Sequence, residues 1–519
     1  MKGAFTAVTA KRTVLRRVFL ACVLIFDLYV GHTVFYSPLD DWQWSMDMGI
    51  EWWLSGMLNG RYVGNLVAVV LTRSVLLKTL SIGLGLFIVP YLMARLLARG
   101  REERILVLFI TCNAGMLLVP SRIWRETFFW VSAFGNFVVP TVGFLALLLL
   151  LRRADQTRTH LAVWSVFLFA YMVVLGLFLE NLTLLFVGAC LLMLLLSFRD
   201  PFFRTLSLVM LAGSLIAAYL MFSNAIMTDL MSTGNAVNSY RRLSFSLEDG
   251  LVAVVYSILR QYLGELLPRA FDLGPYLAWP LAVIVFLGFW NSPCRPACVL
   301  ALFPVIHNLV ILKTQVIISR PGWIASCISW SLPLLALLVN RTDWSVKLRW
   351  LLLYFAAPLS LLPLAFTSSL VYRHFFFPMI LLIIIAVDLA QPILFCRWGW
   401  AVPTVMLVGL MLRWGLPCPT INGCTQLQEE LIAQARETGA DTLVLPTDRF
   451  QFSVWWARNP WDVEKSHYFC QVHGLSDDIT LIFLPVGSYE TWPEISQEQW
   501  DARVELHPSP DYTPVIPIP

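Results

Sequence analysis

Charge is what this chain has least of. Only 13% of its 519 residues are Asp, Glu, Lys or Arg, and 37 basic against 33 acidic side chains leave a formal charge of +4. So small an excess gives no reason to expect a nucleic-acid partner. The sequence has no phosphate-binding P-loop, no Gly-x-Ser-x-Gly elbow, no His-Glu-x-x-His pair and no dinucleotide fingerprint, so none of those chemistries has an anchor. It has no internal repeat, no low-complexity tract, and no paired interrupted helices in matching halves, which weakens a secondary-transporter reading. Ten cysteines are scattered along it. Cys22, Cys112, Cys190 and Cys327 lie in apolar runs and read as small core residues. Cys294 and Cys298 lack a second pair or a nearby His, which argues against a metal site. Cys418, Cys424 and Cys470 fall in the polar C-terminal part, where a disulfide is open but its partners cannot be chosen.

What the chain does have is apolar length. Hydrophobic residues make up 58% of it, more than a single soluble core can hide, so the bilayer must be the solvent for most of it. Apolar runs long enough to cross the hydrocarbon core recur about thirteen times, from 14–36 and 77–98, through 104–120, 134–151, 161–178, 181–198, 205–224, 274–290, 296–313, 322–340, 349–366 and 374–390, to 398–414. The stretches 61–76 and 250–267 read as interfacial or re-entrant helices. The first run lacks a small-residue cleavage site and reads as a retained helix. Basic clusters at Lys11–Arg17, Arg95–Arg104, Arg152–Arg158, Arg199–Arg204, Arg295, Arg341–Arg349 and Arg397 fall on alternate loops, so the positive-inside rule places them all on the cytoplasmic side. The loops between them, and the tail from Gly415, then lie outside. Within that tail Gln426–Thr438 reads as an amphipathic helix. Thr442–Pro446 and Thr480–Pro485 read as buried strands of a small α/β domain.

The outer loops carry the candidate chemistry. Just past the first span stands Ser37-Pro38-Leu39-Asp40-Asp41-Trp42-Gln43-Trp44, with Asp47 and Glu51 beyond it. A carboxylate there can take a proton from an attacking hydroxyl, and a second can position the acceptor or hold a divalent cation. Either acid can equally serve as an N-cap of the short helix after it. Asn59-Gly60-Arg61-Tyr62 offers an arginine suited to bidentate phosphate binding, or one that snorkels to headgroups. Arg122 to Asn136 mixes charge, Trp and small residues, including Glu126 and Asn136. Glu180-Asn181 sits between two apolar runs with almost no loop, where an acid needs a partner or a wet cavity. Gly234–Arg242, with Arg241, and Tyr372-Arg373-His374 add cations on the same side, joined by Arg269 and Arg320. Isoprenoid phosphates need such cations to stabilise the leaving charge. Deeper in the apolar runs stand Asp27, His307 and Lys313. In the tail, Trp455–Trp461 and His467–Cys470 suit glycan contact, a cover over the membrane cavity, or domain packing.

These pieces in this order resemble the GT-C class of polytopic glycosyltransferases. More closely, the chain is similar to a bacterial glucosyltransferase-like membrane family with no established substrate. That likeness rests on Asp40-Asp41, Asn59-Gly60-Arg61, Glu126 to Asn136, Glu180-Asn181, Gly234-Asn235 with Arg241, Tyr372-Arg373, and Trp455 to Gly474. It departs at Leu179, where the resemblance leads one to expect His before the Glu.

The resemblance implies an all-α polytopic bundle over 1–414 and a small extracytoplasmic α/β domain over 415–519, in a bacterial inner membrane. It implies a polyprenyl-phosphate-linked sugar as donor and a surface glycan, lipid or protein as acceptor. Asp40 and Asp41 would be catalytic. Arg61, Glu126, Asn136, Glu180, Asn181, Arg241 and Arg373 would contact substrate. Mg2+ or Mn2+ stays open as a cofactor. A flippase for a lipid-linked sugar, or a non-catalytic envelope assembly protein, are the alternative readings.

Overall fold

The computed structural model describes residues 2–37, 40–56, 58–233, 243, 245, 250–272, 277–314, 320–366, 371–447, 463–485 and 504–506. Nearly all of this is helix. The chain opens with α1 (Lys2–Thr33), then folds two short helices, α2 (Asp41–Ser45) and α3 (Asp47–Ser55), over the end of the bundle. The next helix, α4 (Tyr62–Thr72), has 11 residues. At 1.5 Å per residue it spans about 16 Å, well short of the hydrocarbon core. Ser74 caps α5 (Val75–Ala98) by accepting from the Leu77 N–H at 3.3 Å. Then α6 (Ile105–Leu117) and α7 (Ser121–Thr127) meet at 96°. Pro120 stands at that bend and starts α7. The long α8 (Val131–Thr157) comes next, then α9 (Leu161–Gly176), α10 (Glu180–Leu196), α11 (Pro201–Phe222) and α12 (Ala225–Thr233). The second half contains α13 (Leu251–Gln261), α14 (Leu267–Asp272), α15 (Ala278–Trp290), α16 (Leu302–Thr314), α17 (Arg320–Val339) and α18 (Trp344–Leu359). It ends with α19 (Phe376–Leu394), α20 (Ala401–Gly415) and α21 (Cys418–Thr438).

Among the described residues, seven helices are long and apolar enough to cross a membrane, or eight if the bent α6–α7 pair is one span. The expected count of about thirteen is not reached. Several apolar runs that read as spans fold into shorter helices: α9, α10 and α15 have 16, 17 and 13 residues, and a seven-residue 3-10 segment, Arg295–Ala301, interrupts the run leading into α16. Three charged residues, Arg16, Arg17 and Asp27, fall in the apolar part of α1. The stretch 61–76 does form a helix too short to cross.

Helix α19 is buried on nearly every side and forms the centre of the bundle, while α9, α10 and α11 expose large apolar side chains such as Val166, Leu195 and Tyr219. A helix apolar all round is a core helix, and the bare outer faces suit lipid. Small residues set the close crossings. A Cβ on Gly83 would fall 2.7 Å from the Leu28 Cα, which holds α5 directly against α1. A Cβ on Gly64 would fall 2.1 Å from Asn136 Oδ1, which holds α4 against α8.

Residues of several basic clusters gather at one end of this bundle. Arg16 and Arg95 both pair with Glu102 (3.4 and 2.7 Å), Arg99 pairs with Asp388 (2.7 Å), and Arg158 pairs with Asp155 and Asp200 (2.8 and 3.1 Å). Helix α5 runs from that end, at Arg95, to the opposite end at Lys78. There Lys78 donates to the Val34 carbonyl, just past the end of α1, and lies 5.3 Å from the Tyr36 ring. The first loop folds at this second end.

The tail is not set apart by a flexible joint. Leu416 and Pro417 keep right-handed helical dihedrals, so α20 and α21 form one helical run of 38 residues. The run carries a three-stranded sheet: β1 (Thr442–Thr447) lies parallel to β2 (Thr480–Pro485), and β3 (Val504–Leu506) lies antiparallel to β2. Helix α22 (Val463–His473) packs beside them. The small core contains Leu443, Leu445, Phe469, Leu481 and Phe483, and it is completed by Trp42 from the first loop. Trp42 meets Phe469 edge-on at 5.4 Å, and Gln43 donates to Glu464 at 3.5 Å. All ten cysteines are free thiols, so the tail has no disulfide. Of the tail aromatics, Tyr468 and Phe469 pack in this core, and Trp455–Trp461 lie outside the described residues.

Candidate active site at the first loop

The two adjacent acids have different surroundings. Asp41 is fully buried at the first position of α2. Its Oδ2 accepts from the Ser37 N–H (2.8 Å) and the Val131 N–H (3.3 Å), and its Oδ1 accepts from the Ser132 N–H (2.8 Å). Val131 and Ser132 are the first residues of α8, whose opening N–H groups have no intrahelical partner. Asp41 therefore caps α8, not its own helix. This corrects the expectation that either acid caps the short helix after it: Asp40 stands at that N-cap but makes no capping bond. Burial, and then the charge of Asp40, push the Asp41 carboxyl up to about 7, against the opposing pull of the Ser37 and Ser132 donors.

Asp40 is only half-buried and is fixed by side chains. Its Oδ1 accepts from Trp130 Nε1 and from Ser132 Oγ, both at 2.6 Å, and its Oδ2 accepts from Trp44 Nε1 at 3.3 Å. Indole N–H groups are donors only, so this cradle orients the carboxylate without neutralising it. Asp47 and Glu51 are exposed, away from the pair.

The loop is clamped from below. Arg73 at the end of α4 donates to the carbonyls of Trp44 (2.6 Å), Val69 (2.9 Å) and Met46. These carbonyls lie at helix ends, where acceptors are left over. Nothing in the sequence singles out Arg73. An arginine at the end of the α4 apolar run reads like any interfacial cation.

Several of the other loop motifs converge on the same place. The Arg373 guanidinium lies 4.6 Å from the Trp130 ring and 5.5 Å from the Phe137 ring, and its backbone N–H donates to Glu126 (3.1 Å). Arg122 donates to the Tyr372 hydroxyl at 2.9 Å. Asn136 donates to the Ser132 carbonyl (3.1 Å), while its buried Oδ1 has no hydrogen-bond partner among the described residues. Arg61 and Glu180 form an ion pair at 2.7 Å, with 15% and 14% of their side chains exposed. The charges of Arg373, Arg61 and Glu180 all act on the His374 ring, which packs edge-on to Phe137 at 5.4 Å. Gly60 makes the approach of Arg61 feasible: a Cβ there would fall 2.1 Å from the Met221 carbonyl oxygen.

Of the remaining expected residues, one is committed to another contact and two are not described. Asn181 spends its amide on the Ser360 carbonyl (2.8 Å) and is buried, a tie between helices. Arg241, with the whole Gly234–Arg242 motif, lies outside the described residues. So does the Arg320 side chain. No group of three His, Cys, Asp or Glu suited to a metal ion occurs among the described residues. The donors facing both Asp41 oxygens suit an acceptor of N–H groups and not a ligand of Mg2+ or Mn2+.

Comparison with protein families, curated proteins and solved structures gives no match to this chain. The functional reading therefore rests on the residues themselves. In the sequence Trp130 and Ser132 stand within an aromatic stretch, with no sign that they hold Asp40. A Trp and a Ser two residues apart just before a span carry no signal of what they face.

Proposed function

We propose that the chain is a membrane glycosyltransferase, transferring a sugar from a polyprenyl-phosphate donor to an acceptor at the outer membrane face. The observation that carries this reading is Asp40: a half-buried carboxylate held by three side-chain donors, with arginines at Arg373 and Arg61 on the same end of the bundle. Asp40 takes the proton of the acceptor hydroxyl as its oxygen forms a bond to the sugar C1. The bond from C1 to the phosphate oxygen breaks, and the phosphate leaves with the electron pair. Arg373 and Arg61 stabilise that charge. Asp41 holds the start of α8, and so Trp130 and Ser132, in place. No step passes through a metal. Basic clusters gathered at the other end fit a cytoplasmic base and an outward-facing site.

The test compares surface glycans and lipid-linked sugars in cells lacking the protein and in cells complemented at equal expression. Asp40→Asn should leave the sugar missing and its lipid-linked donor accumulating. Full rescue by Asp40→Asn removes the mechanism.

One observation favours the transport alternative. Asp27 is buried within α1, and its Oδ2 has no hydrogen-bond partner among the described residues. An ionisable group at that depth suits a proton relay. Reconstituted protein that translocates a lipid-linked sugar, transfers none, and stops on Asp27→Asn would establish that reading.

A further inference from the structure

The end of the bundle away from Asp40 carries a charged cluster that the proposed reaction does not use. At its centre is Asp388, near the end of α19, with 8% of its side chain exposed. Its Oδ2 accepts from Arg99 and from Trp350 Nε1, both at 2.7 Å, and its Oδ1 accepts from Gln391 Nε2 at 2.6 Å. Both oxygens are therefore engaged. Arg349, the residue before Trp350, lies in the electric field of Arg99, Arg152 and Asp388 together. Arg152 reaches this place from α8: its guanidinium stands 3.7 Å from where a side chain on Gly100 would begin. Three guanidiniums thus gather around one carboxylate, which is already committed to Arg99. Neither Arg152 nor Arg349 has a hydrogen bond or ion pair among the described residues.

Arg152 and Arg349 are like charges beside one carboxylate that is already paired to Arg99, so an anion between them lowers their mutual repulsion. Their depth narrows what that anion is. Arg99 directly succeeds the last residue of α5, Arg152 is in the last two turns of α8, Arg349 is in the second turn of α18, and Asp388 is two turns from the end of α19. All four stand within about two turns of a helix end, at the end of the bundle where the basic residues gather, which suits the level of lipid headgroups. Guanidinium matches the oxygen geometry of a phosphate monoanion. Basic pockets between helices at a membrane edge take anionic headgroups.

We propose that Arg152 and Arg349 form a binding site for a phosphate monoanion, the headgroup phosphate of an anionic phospholipid. The site is independent of the transferase reading. Its occupant ties α8, which carries Ser132 and Asn136 at its other end, to α18.

The test is native mass spectrometry of the full chain in detergent, titrated with phosphatidylglycerol, phosphatidylcholine and inorganic phosphate. Wild type should retain phosphatidylglycerol in preference to phosphatidylcholine. Arg152→Gln and Arg349→Gln should each weaken that preference about fivefold, and the double variant should abolish it. Arg199→Gln, an exposed cation elsewhere, should change nothing. Arg349→Lys keeps the charge but loses the planar fork, so its retention should fall between wild type and Arg349→Gln; this pair decides the matter if the double variant does not fold. Inorganic phosphate displacing the lipid at the concentration where it binds alone sustains the site and names the free anion as its occupant. Equal lipid preference in wild type and the double variant overturns the proposal and leaves arginines that merely reach into bulk headgroups.

Discussion

Asp41 and Asp388 stand at opposite ends of the same bundle, and both have all their oxygens engaged. Their partners differ in kind. Asp41 accepts from three backbone N–H groups, two of them at the start of α8. Asp388 accepts from the side chains of Arg99, Trp350 and Gln391. Backbone donors cannot swing away to find water, whereas an exposed arginine can. The Asp41 end is therefore built to hold one geometry. The Asp388 end, held by side chains, is free to adjust. On the proposed reading, a reacting Asp40 would belong beside the first kind of support, and a lipid contact beside the second.

Substitutions at the two ends should break this contrast by very different amounts. Asp40→Asn should lower sugar transfer about a thousandfold while leaving thermal unfolding within roughly 0.5 kcal/mol of wild type, read by transfer assay and by calorimetry in detergent. Asp41→Ala should cost about 3 kcal/mol, because the Ser37, Val131 and Ser132 N–H groups are then buried without an acceptor. A smaller loss than in Asp388→Ala would reverse the comparison. Trp42→Ala should weaken tail docking by about 2 kcal/mol, seen as faster proteolysis within 418–485 with the bundle unchanged.

The pH response isolates Asp41. Its carboxyl is raised in the folded protein, so the folded state binds the proton more tightly than the unfolded chain does. Stability from this group is then fullest at low pH and falls as pH rises from about 4 through about 7. The expected slope is about 1 kcal/mol per pH unit across that window, measured by thermal unfolding, and Asp41→Asn should flatten it. Smallest of all, Asp388→Ala should cost under about 1 kcal/mol, since Arg99 is 38% exposed and can turn to water.

How much of this is legible in the sequence depends on what kind of signal each feature leaves. Both tail strands appear within a residue of their expected ends, because Thr442–Pro446 and Thr480–Pro485 are short apolar runs with Pro stops. Asp40 and Asp41 stand out as a pair, but their division of labour does not. Which of two adjacent acids turns inward depends on where α8 begins, 90 residues further on. The count of about thirteen spans is not confirmed among the described residues for a physical reason: α9, α10 and α15 stop at 16, 17 and 13 residues, the 3-10 turn at Arg295–Ala301 interrupts another run, and apolar run length alone cannot register where a helix ends. The stretch from Arg122 to Asn136 is conspicuous in the sequence, although an aromatic belt looks the same. Its use becomes visible only when Trp130 is seen donating to Asp40. Asn181 misleads because an amide at a membrane edge has the same sequence appearance whether it meets a ligand or, as here, the Ser360 carbonyl.

The helical run from Ala401 to Thr438 makes the tail a rotor fixed to a shaft. Each residue added to a helix rotates the chain beyond it by about 100° and advances it 1.5 Å. One alanine inserted after Gly415 would therefore swing the sheet around the shaft and carry Phe469 away from Trp42, with every residue of both still in place. Two evolutionary routes are closed by the same gearing: this stretch can neither lengthen nor shorten by a single residue without uncovering the first loop. A whole turn of about four residues would bring the tail back round to nearly its present bearing, one step higher.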